Sequence, residues 1–417
     1  MRVLISLILA LSLSQAVIAG GDLFQQYGIT RVDSSEQLAR AQLSNRSFTY
    51  NTQLRVPKGD AYVIVTDLKD PAYLSALNAL AKFHSGKILQ LDNSRDLIAQ
   101  DKAQKDFIES LKKLDPQYVV FAPRLDNYSE NVMLAFWQSL AKLGGGELNV
   151  YPSIFVAPDL PSFKSLVDHS IKLSPINKQA LAPVLICQST TESAGGLRAV
   201  EKTAFLEDMF DAQGIKNGGI VVKTASAPNE QYSQVGSLGV LNAPDEGMIP
   251  ELPANLKNAI CQSNLLVLFG HGMPGMTCSL SVAGMKDIKL DKNIVLCGSC
   301  FSAVPYTSDV LPNPRRREPF FGRAIENGAS IFYGHMNTNG GFPELYVVLD
   351  ALLNGESAGQ AYQRLLNQMI KEEKLPIDRY VMTDNDKNIA PRNKLLEILI
   401  GDAAAVPFAG EGRSVRK

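Results

Sequence analysis

Short apolar runs alternate along this chain with segments of helical spacing. Ala61–Thr66 is an apolar run that stops at Asp67, the pattern of a strand buried on both faces. Pro71–His84 follows, with Leu74, Leu77, Leu80 and Phe83 at helical spacing and Gly86 as a stop signal. Lys87–Leu91 and Gln117–Phe121 predict two further strands, and Ala103–Leu114 and Asn131–Leu143 two further helices, the second closed by Gly144-Gly-Gly146. Tyr151–Val156 predicts a strand, Ser162–Leu173 a helix and residues 174–183 a connector. The alternation then restarts. Val184–Cys187, Gly219–Lys223, Asn264–Phe269, Asn293–Cys297 and Ala329–Tyr333 predict strands. Leu197–Phe210, Ile249–Ile260, Pro319–Asn327, Pro343–Leu353 and Ser357–Glu373 predict helices, and residues 224–248 and Phe301–Pro319 predict loops. Strands separated by helices of about 10–15 residues imply parallel βαβ units. The expectation is an α/β fold with two subdomains, residues 20–180 and 181–411, each with a mostly parallel sheet flanked by helices, and a tail at 412–417.

The first residues follow a different pattern. Arg2 precedes the apolar run Val3–Leu13, and small residues lead to Ala19. That is the arrangement of a secretory signal peptide, residues 1–19, cleaved before Gly20. It predicts an exported protein, periplasmic or extracellular. No later stretch approaches 18 uninterrupted apolar residues, so no stable membrane insertion is expected after cleavage.

Composition narrows the function classes. Of 417 residues, 45% are hydrophobic and 20% charged, which supplies a core and excludes a disordered chain. Lys plus Arg number 41 against 42 Asp plus Glu. That balance leaves no basic surplus, so nucleic acid is not expected as a partner. Five cysteines leave at least one thiol unpaired even in an oxidising compartment. Four histidines, His84, His169, His271 and His335, limit any histidine chemistry.

Two strand ends carry candidate chemistry. Leu265-Leu-Val-Leu-Phe-Gly leads to His271-Gly272, and Ile294-Val-Leu-Cys-Gly-Ser leads to Cys300. Reacting groups in open parallel sheets sit at the carboxyl ends of strands. On neighbouring strands, about 4.8 Å apart, an imidazole and a thiol leaving adjacent ends can meet. Histidine then activates the thiol as a nucleophile. Gly272 sets a backbone N–H without a side chain beside His271, a natural oxyanion donor.

These segments resemble the caspase-like (clan CD) cysteine peptidases. Phe-Gly-His271-Gly272 is similar to the histidine motif of metacaspases and gingipains, and Gly-Ser-Cys300-Phe-Ser to the metacaspase nucleophile segment. The wider chain resembles the gingipain family, with 61–172 as the first subdomain and 184–408 as the caspase-like one. Leu399-Ile-Gly-Asp-Ala403 resembles that family's closing Gly-Asp-Pro segment, with Ala403 in place of proline. The resemblance implies cleavage of peptide or protein substrates by His271 and Cys300 through a thioester acyl-enzyme. It carries over the Gly272 and Cys300 amides as oxyanion donors and implies no cofactor and no metal.

Other readings stand beside it. Cys297-Gly-Ser-Cys300 is a CxxC pair, which suits a thiol–disulfide exchanger when a helix follows. A zinc site from Cys297, Cys300 and His271 lacks a fourth ligand at standard spacing. A degenerate peptidase scaffold that only binds is a third alternative. His335 follows the predicted strand 329–333 and reads as a core or loop histidine, while His84 and His169 read as surface or boundary residues. Gly144–Gly146 lacks the Lys-Ser/Thr of a phosphate loop, and Arg315-Arg-Arg317 reads as a solvated run.

Overall fold

In the computed structural model, the described residues are 54–188 apart from 100, then 203, 206–207, 209–211, 213–223, 239–242, 252–305, 318–337, 342–372 and 394–410. The expected leader, most of the expected helix 197–210, the tail 412–417 and the Arg315–Arg317 run lie outside them.

The amino-terminal part runs β1 (Ala61–Thr66), α1 (Pro71–Phe83), β2 (Lys87–Gln90), a short α2 (Asp96–Ala99), α3 (Asp101–Leu114), β3 (Pro116–Ala122), α4 (Glu130–Leu143), β4 (Tyr151–Ile154) and α5 (Leu160–Lys172). Local chemistry starts these helices. The Asp70 carboxylate caps α1 by accepting the Ala72 amide at 2.7 Å, with Pro71 next in line. Asp159 does the same for α5 through Ser162. Each cap satisfies one of the orphan N–H groups of a first turn.

The second part runs β5 (Pro183–Gln188), β6 (Gly218–Lys223), β7 (Gly239–Asn242), α6 (Ala254–Gln262), β8 (Leu265–Phe269), the short strands β9 (Gly272–Met273), β10 (Met276–Thr277) and β11 (Leu280–Ser281), then β12 (Ile294–Gly298). It continues through α7 (Phe320–Glu326), β13 (Ile331–His335), α8 (Phe342–Leu353), α9 (Ala358–Glu372) and β14 (Glu397–Ile400).

The expected mostly parallel α/β fold is what forms. The two sets of strands make one sheet of 11 strands rather than two, in the order β2-β1-β3-β4-β14-β13-β12-β8-β5-β6-β7. β14 joins them: it runs antiparallel to β13 from His335–Glu397 to Phe332–Ile400 and meets β4 through the single bridge Ile400–Ile154. Helices flank the sheet. α1 packs on α5 and α5 on α7; α3 packs on α4, and α8 on α9. Trp137 of α4 meets Tyr362 of α9 edge-on, with ring centroids 5.4 Å apart.

Two sequence expectations are corrected, and one segment that carried no expectation forms an element. Gly239–Asn242, expected within a loop, is the edge strand β7 on β6; its four residues are too few to show a period. Residues 272–281, without any pattern, form a small antiparallel sheet β11-β10-β9. β13 runs to His335 instead of ending at Tyr333, because β14 continues to pair with it there.

Candidate active site

β8 and β12 are parallel neighbours in the middle of the sheet, with Leu268 opposite Cys297 and Phe269 opposite Gly298. All of Leu265–Phe269 and Ile294–Cys297 is buried, so the register is held by apolar packing on both faces. His271 is the second residue past Phe269 and Cys300 the second past Gly298. The two candidates therefore leave adjacent strand ends at the same level. His271 is exposed and Cys300 partly exposed.

Gly272 closes the geometry. A Cβ at this position would run into the Cys300 carbonyl oxygen and lie 2.8 Å from Ser299 Cβ and 3.0 Å from the Cys300 amide nitrogen. Only glycine lets the two backbones approach this closely. The β9–β10 hairpin turns through Met273-Pro274-Gly275-Met276, with Gly275 at φ +78°, the left-handed value a type II turn requires. The Cys278 amide donates to the His271 carbonyl at 3.0 Å. Gly272–Thr277 is thus a pair of the type whose own amides do not bond each other, and the hairpin does not use the Gly272 N–H.

A residue absent from the sequence reading holds the His271 side in place. Gln188, buried at the end of β5, accepts the His271 amide on Oε1 at 2.9 Å and donates Nε2–H to Ser279 Oγ at 2.9 Å. Its only signal in the sequence is a polar residue closing an apolar strand.

Cys300 sits in a sharp turn. Phe301 has φ +55°, in the left-handed region that costs a bulky residue strain. Three hydrogen bonds hold the turn to its surroundings and a fourth closes it internally. Phe301 N–H donates to the Asn337 carbonyl at 3.1 Å and Ala303 N–H to the His335 carbonyl at 2.8 Å. Ser302 Oγ accepts the His335 amide at 3.1 Å and donates to the Ser299 carbonyl at 2.9 Å. Cys278 and Ser279, both fully buried, are also left-handed at φ +52° and +64°. Strain is thereby gathered on both sides of the dyad.

Cys297 has a different environment. It is fully buried inside β12 and its thiol donates to Thr277 Oγ1 at 3.6 Å. Burial pushes this thiol up, and pushes the Cys278 thiol well above its ordinary value. Residues 299–305 form turns instead of a helix. The CxxC pair therefore lacks both a second accessible thiol and the following helix dipole that an exchanger uses. None of the five cysteines is in a disulfide. Among the described residues, no group of three or more His, Cys, Asp or Glu side chains is arranged to hold a metal ion.

The imidazoles of the remaining histidines stay out of this site. His335 is a core residue, 2% exposed. His169 lies on α5 with Nε2 4.0 Å from Asp291. His84 closes α1, where its Nε2 lies 2.7 Å from Asp402 Oδ2. The Gly401-Asp402 segment is thus a structural clasp: buried Asp402 also accepts the Tyr62 hydroxyl at 2.8 Å and the Ala404 amide at 3.0 Å.

No family model and no curated protein matches the chain. Among solved structures, the separase–securin complex of Saccharomyces cerevisiae overlaps 68% of this chain at 13% identity and a TM-score of 0.35, and this chain spans 15% of the chain it matches there. Aspartate transcarbamoylase of Trypanosoma cruzi overlaps 72% of this chain and 95% of its own, at 14% identity and a TM-score of 0.22. A D-isomer specific 2-hydroxyacid dehydrogenase of Lactobacillus delbrueckii ssp. bulgaricus overlaps 57% of this chain and 71% of its own, at 11% identity and a TM-score of 0.17.

Proposed function

We propose that this protein is an exported, caspase-like cysteine peptidase acting through His271 and Cys300. The observation that carries the reading is the shared register of β8 and β12, which sets both residues at one level past adjacent strand ends. The close approach of Gly272 to the Cys300 backbone supports it.

In the mechanism, the Cys300 thiolate attacks the scissile carbonyl and forms a tetrahedral oxyanion, which the Gly272 and Cys300 amides receive. Collapse to the thioester expels the amine, and His271 supplies its proton. Water deprotonated by His271 then hydrolyses the thioester and regenerates the thiol. The resemblance to gingipains rests on the Phe-Gly-His271-Gly272 motif, the order of the two subdomains and the Leu399–Ala403 segment. The leader at 1–19 supports export, and cleavage there is checked by the amino-terminal sequence of secreted protein.

The test is covalent labelling with an acyloxymethyl ketone or epoxide peptide probe, mapped by mass spectrometry, alongside peptide hydrolysis. Cys300 takes the label in the unmodified protein. Cys300→Ala and His271→Ala each lose hydrolysis by about a thousandfold or more, and Cys297→Ser keeps most of it. Equal loss in Cys297→Ser and Cys300→Ala points to the dithiol instead. A Cys300 that takes no label in folded protein leaves a binding scaffold.

A further inference from the structure

The nucleophile turn is held from the other end of the chain as well. The loop between β3 and α4, residues 123–129, crosses to it. Tyr128, 1% exposed, donates its hydroxyl to the Ala303 carbonyl at 3.0 Å, and its ring meets Phe321 edge-on at 5.8 Å. Glu130, the first residue of α4, accepts Asn337 Nδ2–H at 3.0 Å. Asn337 is the residue whose carbonyl holds the Phe301 amide. The Tyr128 contact ends three residues past Cys300, and the Glu130 contact reaches the turn through Asn337.

The loop is itself fastened. Asp67, 1% exposed at the end of β1, accepts the Arg124 amide on Oδ1 at 2.7 Å. On Oδ2 it accepts Asn127 Nδ2–H at 2.5 Å, the Ser94 amide at 3.0 Å and the Ser94 hydroxyl at 2.6 Å. Burial opposes its charge, yet these four donors outweigh burial and lower its pKa. Within the loop, the Asn127 and Tyr128 amides both return to the Arg124 carbonyl, at 2.9 and 3.0 Å. Arg95 Nη2–H closes the outer side on the Asp126 carbonyl at 2.5 Å.

We propose that the β3–α4 loop is a brace that holds the strained Cys300 turn in its reactive conformation, with Tyr128 as its positioning residue and Asp67 as its anchor. The inference rests on Cys300 being the nucleophile. A left-handed Phe301 persists only where surrounding contacts over-determine it. The bonds to β13 fix the turn against the sheet. The Tyr128 hydroxyl fixes its far end, at Ala303. Burial pushes the Tyr128 phenol well above its ordinary value, so it remains a donor. The amino-terminal half thereby contributes to the reaction without touching substrate.

The experiment compares the full chain with Tyr128→Phe, which removes one hydroxyl and keeps the ring, and with Glu130→Ala, a partly exposed position that does not endanger folding. Two quantities are read: the second-order rate of Cys300 alkylation by iodoacetamide, mapped by mass spectrometry, and kcat and KM on a peptide substrate. The brace predicts that Tyr128→Phe lowers kcat about tenfold at nearly constant KM. It also predicts a several-fold slower alkylation of Cys300, with a smaller change of the same sign in Glu130→Ala. Rates within twofold of the unmodified protein in both folded variants overturn it, as does a rise in KM with alkylation unchanged. If Tyr128→Phe does not fold, Glu130→Ala decides alone. If no peptide is cleaved by the unmodified protein, the peptidase assignment fails, while the alkylation rates still decide the brace.

Discussion

Gly272 lets the His271 and Cys300 segments approach through one absent side chain. Any Cβ there meets the Cys300 carbonyl and amide and Ser299. Gly272→Ala therefore has to push the hairpin off the nucleophile turn. We expect peptide hydrolysis to fall at least about a hundredfold, the scale of losing one oxyanion donor. The cost in stability is smaller, about 1–3 kcal/mol, the range for an overpacked contact. Steady-state kinetics beside a thermal melt separates the two. Full activity in a well-folded alanine variant removes Gly272 from the oxyanion site. The sequence pointed to this glycine because it follows His271 at a strand end. Gln188 and Tyr128 carried no such mark, since their roles consist of hydrogen bonds to residues far away in sequence.

Strand β13 shows what an element does when its neighbour is a surprise. Pairing with β14 carries it to His335 and buries that imidazole against Glu397, with Nδ1 4.0 Å from Oε1. The His335 Nε2 is buried without a hydrogen-bond partner. Burial pushes the His335 pKa down to about 3. Unfolded histidine takes up its proton near pH 6.5 and folded His335 only near 3. The unfolded chain thus binds more protons in that window, and stability falls as pH drops through it. The size is on the order of 5 kcal/mol across the full window. Glu397 works in the opposite direction. Burial, then the charge of Glu344, holds its carboxyl well above the usual range, and it pairs with the Tyr333 hydroxyl. Its protonated form is native, so its contribution declines as pH rises above its unfolded value. Thermal unfolding of the wild type should show a stability maximum between these limbs. His335→Gln should flatten the acid limb below about pH 4.5, where Glu397 no longer opposes it. An unchanged acid limb in that variant shows that the loss arises elsewhere.

At the scale of the whole molecule, the two sets of strands share one sheet and are tied by bonds of long reach. Tyr128 reaches Ala303, Gln363 donates to the Val150 carbonyl at 3.2 Å, and Asp402 joins Tyr62 to His84. We expect urea unfolding in one cooperative transition, with near-UV and far-UV signals coincident. Asp402→Ala leaves the Tyr62 hydroxyl, the His84 ring and the Ala404 amide without their acceptor. It should cost about 3 kcal/mol and lower the midpoint without splitting the transition. Two separate transitions in the unmodified protein would show that the halves fold as independent units.

Helices and long strands were legible in the amino-acid order because their signals are local: apolar spacing, a stop such as Gly86, a run such as Leu265–Phe269. The His271 and Cys300 candidates were legible for the same reason, each being a reactive residue just past an apolar strand. Tertiary structure alone decided that β8 and β12 are neighbours and in what register. It alone placed β14 between β4 and β13, and set Tyr128 and Asp67 behind the Cys300 turn. Those features depend on contacts between segments separated by scores of residues. Such contacts form only when the core closes, and they leave no period or spacing in the chain that forms them.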